Sequence, residues 1–440
     1  KVLMIKFLKN YFVTSYHRPT AKILHIYVFL KSFFYNKKTT IFSEKMFLLK
    51  SPPNSMVYYN FFGRFFTLII NTITIILFNK FFSKKTFIDF YENITSSDSG
   101  TKESPWPPQS ITHSEKHSLK IQDSFYELLE KNYDYSLDLS LKDNFLKDSP
   151  WWKLCRDEYK DEFIDGQNKI KVSSLENFRY KSKMKSAIFS DFFLEKNHSR
   201  INKLKSLSLI NLYHKLSEYV NLDILRSSSD SYVGKNVCLN YRDQRLSHTT
   251  LRHAYFCSQI INNTRLNMDK HNIILDLGGG YGSLTRLLKH FYRKSTFIIF
   301  EIPEACFIAS YFLKKNFPDS KIGLPLDFEN KDSIGISDLE KYDFIILPQP
   351  FLNRFKSDVV DLFINTISLC EMTNETQNFY LENIERVTKE YFYSVNRPEK
   401  RVEKYNAQGF YSWKFKKNWR SLVYNYTHTY HIEFLGKKLP

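Results

Sequence analysis

Ile273-Ile274-Leu275-Asp276-Leu277-Gly278-Gly279-Gly280-Tyr281-Gly282-Ser283-Leu284 is the stretch whose reading decides the fold. Ile273, Ile274, Leu275 and Leu277 flank one acid and run into a glycine turn, after which Leu284, Leu287, Leu288 and Phe291 recur at helical spacing. An apolar run, a tight turn and an amphipathic helix in that order predict a strand whose carboxyl end opens onto a ligand loop. This is the first unit of a nucleotide-binding α/β domain.

Downstream, the chain alternates strand and helix patterns. Strands are expected at 273–277, 296–301, 343–348, 360–365 and 391–396, with helices at 283–292, 304–316 and 374–388. Pro318 stops the second helix, since proline cannot continue one. Such alternation predicts a mainly parallel sheet covered on both faces. The tail from 408 to 435 carries two further strand patterns, expected to be antiparallel.

Upstream, residues 119–262 are mostly helical in pattern. Phe125, Leu128 and Leu129 mark one segment; Ile210, Leu212, Tyr213, Leu216 and Val220 mark another. Between them lie the Trp151-Trp152 pair and a lysine-rich stretch, Lys181 to Lys185, which reads as a solvated face. Val233-Gly234-Lys235-Asn236 reads as a turn. Ser247 to Ile261 reads as a helix capped by Ser or Thr that leads into the first strand. The expected organisation is a helical domain over 119–262, on the substrate side of a catalytic domain over 263–440. Residues 93–118, rich in Ser, Thr and Pro without hydrophobic period, read as a linker.

The chain has 440 residues, 42% of them hydrophobic, which excludes a disordered protein and allows two or three domains. The 40 Phe and 29 Tyr, with abundant Lys, Asn and Ile, match the bias of an AT-rich genome, so aromatic clusters are no argument for base stacking. The net charge is +18, of which +11 falls in residues 1–92 (14 basic, 3 acidic), so no nucleic-acid partner is expected for the remainder. Phe65 to Asn79 is an uncharged run of 15 residues, short for a membrane-spanning helix of about 20 and closer to an interfacial anchor. Two readings of 1–92 stay open: membrane-surface association, or an appendage or upstream sequence outside the functional protein. Cys155, Cys238, Cys257, Cys306 and Cys370 form neither a CxxC pair nor a zinc-spaced cluster, which favours a reducing, cytoplasmic setting, peripheral to the inner membrane face if 1–92 is an anchor.

The glycine loop fits GxGxG through Gly278, Gly280 and Gly282, but not the dinucleotide fingerprint GxGxxG, because Ser283 stands at the last position. No GK[ST] follows, which excludes a phosphate loop of the NTPase kind. The second strand ends in Glu301, 25 residues after Asp276. An acid there can accept both ribose hydroxyls of an adenosine ligand. Two assignments compete for the fourth strand. If it were Tyr342 to Leu347, Pro348-Gln349-Pro350-Phe351 would partly match the loop of amino-methyltransferases. The preferred assignment makes that segment the third strand, with Gln349 near the adenine. Val360 to Ile364 then delivers Asn365-Thr366-Ile367-Ser368-Leu369-Cys370-Glu371-Met372 to the active edge.

Asp276, GxGxG and Glu301 together resemble the pattern of class I S-adenosylmethionine-dependent methyltransferases. The resemblance implies a Rossmann-like sheet and S-adenosyl-L-methionine as cofactor, held by Asp276, Gly278, Gly279, Gly280, Tyr281, Gly282, Glu301, Gln349 and Asn365. More narrowly, ILDLGGGYGSL, FEIPE with the following ASYFL, DLFINTISLCEM and YFYSVN resemble a family of bacterial sugar O-methyltransferases. Weaker likenesses at Trp151-Trp152, Val233 to Asn236 and Leu251-Arg252-His253 extend it over about 150–400. Glu301 stands where the family has Asp, and either can bind a ribose. The resemblance implies methyl transfer to a sugar hydroxyl in glycan or surface-polysaccharide synthesis. A base within hydrogen-bond reach of that hydroxyl should speed the reaction by about 10² to 10⁴. Glu371, the acid of the post-strand loop, is the first candidate and His253 the second; Asn365 and Ser368 read as orienting groups, and no metal cluster is expected. The rival readings are an amino-methyltransferase acting on RNA or DNA and a membrane-tethered, non-catalytic scaffold that binds S-adenosylmethionine.

Overall fold

A computed structural model describes residues 121–142, 150–167, 169–179, 209–210, 212–214, 216–236, 238–398, 408–415, 419–427 and 431–439. The extension 1–92, its Phe65 to Asn79 run, the linker 93–118 and the Lys181 to Lys185 stretch lie outside them. Helices α1 (Asp123–Lys142), α2 (Pro150–Phe163), α3 (Val172–Glu176) and α4 (Leu222–Ser227) come first, followed by a hairpin of β1 (Leu239–Tyr241) and β2 (Gln244–Leu246) and by α5 (His248–Asn263). The α/β unit then runs β3 (Ile273–Leu277), α6 (Ser283–Phe291), β4 (Thr296–Glu301), α7 (Pro303–Asn316), β5 (Ile322–Gly323), α8 (Ile336–Leu339) and β6 (Phe344–Pro348). It continues with β7 (Val360–Thr366), α9 (Asn374–Val387), β8 (Thr388–Asn396), β9 (Trp419–Tyr426) and β10 (Ile432–Lys438).

The sheet order is β5-β6-β4-β3-β7-β8-β10-β9. Every pairing from β5 to β8 is parallel, whereas β10 runs antiparallel to both β8 and β9. This is a Rossmann-like α/β fold. Because β4 and β7 flank β3 on opposite sides, the chain reverses direction at β3, and a crevice opens at its carboxyl end. The segment 344–348 pairs with β4 and not with β3, as the preferred assignment requires, so Pro348-Gln349-Pro350-Phe351 follows the strand outside Glu301.

Strand residues alternate between two cores, as a period of two dictates. Ile274, Phe297, Ile299, Ile346, Ile364 and Tyr393 face one core, shared with α1, α2 and α5 to α7. Leu275, Ile298, Phe300, Ile345, Phe363 and Phe392 face the other, under Tyr380, Ile384 and Val387 of α9. All five residues of β3 are buried for this reason. Full burial of each such side chain contributes about 1.5–3 kcal/mol.

Ser247 caps α5 through a reciprocal capping box with Thr250. The β1–β2 hairpin departs from the helical expectation for 119–262. Its two-residue turn is Arg242-Asp243, both at positive φ (48° and 57°), so a left-handed turn forms without the glycine or asparagine that would announce it. Among the described residues no helix is long and apolar enough to cross a membrane.

Candidate functional site

The carboxyl end of β3 passes directly into the glycine turn. Gly278 donates its N–H to Phe300 O at 2.8 Å, and Gly282 donates to Gly279 O at 3.0 Å and caps α6. Gly278 has φ +70°, and a Cβ there would overlap the Ser368 side chain, so the turn and the loop after β7 approach as only glycine permits. Gly282, at φ +87°, likewise needs the left-handed region.

Two buried acids flank this turn. Glu301, at the end of β4, accepts from Gly280 N (2.9 Å) with Oε1 and from Ile302 N (3.0 Å) with Oε2. Burial pushes its carboxyl up to about 7; the two N–H bonds pull the other way, and the charge of Glu371 adds to the rise. Asp276 accepts from Thr285 Oγ1 (3.3 Å) with Oδ2, whereas its Oδ1 is buried without a hydrogen-bond partner. Burial, followed by the charge of Glu301, pushes Asp276 up to about 7. An orphaned acceptor beside a glycine turn fits a ligand that brings its own donor or positive charge. Gln349, half-buried, opens the turn of 3-10 helix after β6, next along the sheet from Glu301.

The loop after β7 is braced from within. Asn365 is fully buried; its Nδ2 donates to Leu277 O (2.9 Å) and Ser368 Oγ (2.5 Å), and its Oδ1 accepts from Asn396 Nδ2 (2.8 Å). Ser368 Oγ also donates to Leu277 O (3.1 Å). These bonds hold the post-β7 loop against the glycine turn, so Asn365 and Ser368 act on the site through the backbone they fix. Between them Ile367 has φ 72°, an outlier for a β-branched residue, held by its N–H to Val395 O (2.7 Å). Backbone strain of this kind costs on the order of 1–3 kcal/mol and clusters where function requires a particular geometry.

Of the two base candidates, Glu371 stands at this edge. Its carboxylate is a quarter exposed, 24%, and pairs with Arg397 Nη2 at 3.6 Å, just past the end of β8. Its charge adds to the rise at Glu301, and α2 reaches the same edge, where Arg156 Nε pairs with Glu304 in the first turn of α7 at 3.1 Å. His253 is elsewhere: its Nδ1 meets Ser283 Oγ (3.1 Å) in the first turn of α6, behind the glycine turn. Burial drives its pKa well below the ordinary value, aided by Arg252, so the imidazole is neutral. The Tyr281 side chain is also turned to packing, between Phe178 (5.5 Å) and Phe312 (4.8 Å). Among the described residues no group of three or more His, Cys, Asp or Glu side chains could hold a metal ion.

Residue patterns did not single out Arg397, Thr285 or Asn396, nor the buried Arg179–Asp230 pair at 2.6 Å. Apart from Thr285, which reaches only from α6 back to Asp276, each joins segments far apart in the chain, and only the lone acid in Ser228-Ser229-Asp230-Ser231 could have drawn notice.

No family model and no curated protein matches the chain. Similar solved structures include an S-adenosylmethionine-dependent methyltransferase from Aquifex aeolicus, at 14% identity over 38% of this chain and 82% of that one, with a TM-score of 0.24. The pyocyanin biosynthetic protein PhzM is similar at 10% identity over 43% of this chain and 56% of its own, with a TM-score of 0.29. The PH0226 protein from Pyrococcus horikoshii OT3 is similar at 11% identity over 39% of this chain and 84% of its own, with a TM-score of 0.28.

Proposed function

We propose that the chain is an S-adenosylmethionine-dependent methyltransferase that acts on a sugar hydroxyl. One observation supports the cofactor above others: Glu301 holds the Gly280 amide at the crevice while Asp276, beside it, keeps a buried oxygen without a partner. Each Glu301 oxygen accepts one backbone N–H and has a lone pair left, which suits the two hydroxyls of a ribose. Asp276 Oδ1 suits a donor or cationic group. Gly278 to Gly282 supply backbone free of Cβ atoms, save at Tyr281, and Gln349 suits the adenine edge.

When bound, the cofactor supplies a methyl group already activated by its sulfonium. What this chain must then do is align and deprotonate. Alignment of the kind a rigid crevice provides can supply roughly 7 to 11 kcal/mol. Asn365, Ser368 and Asn396 fix the post-β7 loop, which carries Glu371 to the same edge as Glu301. Glu371 Oε1 would accept the acceptor hydroxyl proton, with Arg397 orienting the carboxylate. The neutral, buried His253 is the poorer base, and its bond to Ser283 suits a structural role.

The sugar acceptor rests on the family resemblance carried by DLFINTISLCEM and YFYSVN. A cytoplasmic setting agrees with five cysteines that are all reduced thiols. Attachment of 1–92 to a membrane surface belongs to the same proposal. Methyl-transfer mass spectrometry against nucleotide sugars and surface glycans tests the reading. A mass gain of one methyl on a sugar oxygen is expected; transfer to RNA or DNA amines, or binding without transfer, would overturn the acceptor.

A further inference from the structure

We propose that Asp230 and Arg179 are positioning residues for the glycine turn, acting through Tyr281 and through the first turn of α6; this rests on reading that turn as the ligand site. Arg179 follows α3, and its Nη2 donates to Asp230 Oδ2 at 2.6 Å, both side chains being 1% exposed. The same carboxylate oxygen accepts from Asn236 Nδ2 (2.9 Å) and the Cys238 thiol (3.4 Å). Arg179 also ties down the loop around Asp230, with Nη1 to Ser231 O (3.2 Å) and its backbone N–H to Gly234 O (2.9 Å). Gly234 lies at φ +78°, and a Cβ there would strike the Phe178 ring and Arg179 Cγ. The loop is therefore seated on Phe178 and Arg179 at a distance only glycine allows.

From this seat two connections lead to the candidate ligand site. The Arg179 guanidinium lies 5.0 Å from the Tyr281 ring centre, and Phe178 packs edge-on against the same ring. Tyr281 stands between Gly280 and Gly282, so fixing its ring fixes the turn. Independently, Arg286 in the first turns of α6 donates Nη2 to Ser229 O at 2.8 Å. Arg179 and Arg286 thus both lean on one loop and share the charge of one buried carboxylate. Apolar residues would pack these segments as firmly; an ion pair with directed hydrogen bonds adds orientation. Replacing Asp230 with Asn leaves two buried guanidinium groups without their counter-charge, and the loop, Tyr281 and the turn lose their common anchor.

The test compares Asp230→Asn, Tyr281→Leu, Tyr281→Phe and the Asp230→Asn/Tyr281→Leu double variant in the full chain. The readouts are S-adenosylmethionine calorimetry, steady-state kinetics and amide hydrogen exchange over residues 278–283. Each of Asp230→Asn and Tyr281→Leu should weaken binding by about tenfold or more, as displacement of a binding element does, with KM for the cofactor raised and kcat unchanged. The double variant should be no worse than Asp230→Asn alone, because the Tyr281 contact is one of the two connections that variant already releases. Exchange at 278–283 should quicken while β8 and β10 keep wild-type protection. Tyr281→Phe keeps the ring and should lose less affinity than Tyr281→Leu, and that pair carries the test if Asp230→Asn does not fold. Wild-type affinity and exchange in Tyr281→Leu, or losses that multiply in the double variant, would overturn the positioning role. Absence of binding by the unmodified chain would refute the cofactor instead, and the exchange comparison would still decide the positioning.

Discussion

Replacing Glu433 with Gln should stabilise the protein at about pH 8 by about 3 kcal/mol and do little at about pH 4.5. Glu433 is fully buried on β10, where Tyr393 on β8 and Tyr255 on α5 each donate a hydroxyl to its carboxylate at 2.6 Å. Burial lifts its carboxyl from 4.5 to about 7 although both hydroxyls pull the other way. The folded state therefore holds the proton more tightly than the unfolded chain. Stability falls as pH rises from about 4.5, and above about 7 the whole cost of ionising in the core is present, about 1.4 kcal/mol for each pH interval of one between the two pKa values. Glutamine keeps the shape and can accept from one tyrosine and donate to the other, yet never ionises. Urea unfolding of both proteins at the two pH values measures the difference. Asp276 and Glu301, also raised to about 7, bend both curves alike and cancel in the comparison. Parallel pH profiles for variant and wild type would refute the reasoning.

The site itself gives three more outcomes. Because Asp276 and Glu301 both sit near 7, a cationic ligand should favour their ionised forms; S-adenosylmethionine affinity should rise with pH below 7, by up to about tenfold per pH unit for each group that must ionise, and level off above it, with proton release visible by calorimetry in buffers of different ionisation enthalpy. Gly278→Ala should cost about 1–2 kcal/mol from its left-handed backbone and more from displacing Ser368, seen as a lower Tm that Ser368→Gly partly restores. Glu371→Gln should lower kcat by about 10² or more while leaving cofactor affinity nearly intact; unchanged turnover would remove Glu371 from the role of base.

Much of the fold was legible because local and global signals agree in its α/β part. Ile273 to Leu277 is apolar enough to be buried on both faces, the glycines sit where the backbone turns left-handed, and Ser247 caps α5 with its own side chain. The hairpin was hidden because Arg242 and Asp243 adopt a conformation that other residues usually mark. Side-chain allegiance was harder to read than backbone. Asn365 lies at the expected edge, but its amide is engaged by Ser368 of the loop and by Asn396 at the end of β8. His253 leads toward β3 as its helix promised, yet its ring turns to Ser283. Arg179 and Asp230 stand 51 residues apart, and nothing local in either segment predicts that they meet.

The central claim is that Asp276, the glycine turn and Glu301 form an S-adenosylmethionine site. Its most direct test is calorimetric titration of the unmodified chain and of Glu301→Ala with S-adenosylmethionine. Saturable binding of one equivalent by the former, weakened at least about tenfold in the latter, is the predicted result. No binding by the unmodified chain, or equal affinity in both, would contradict it.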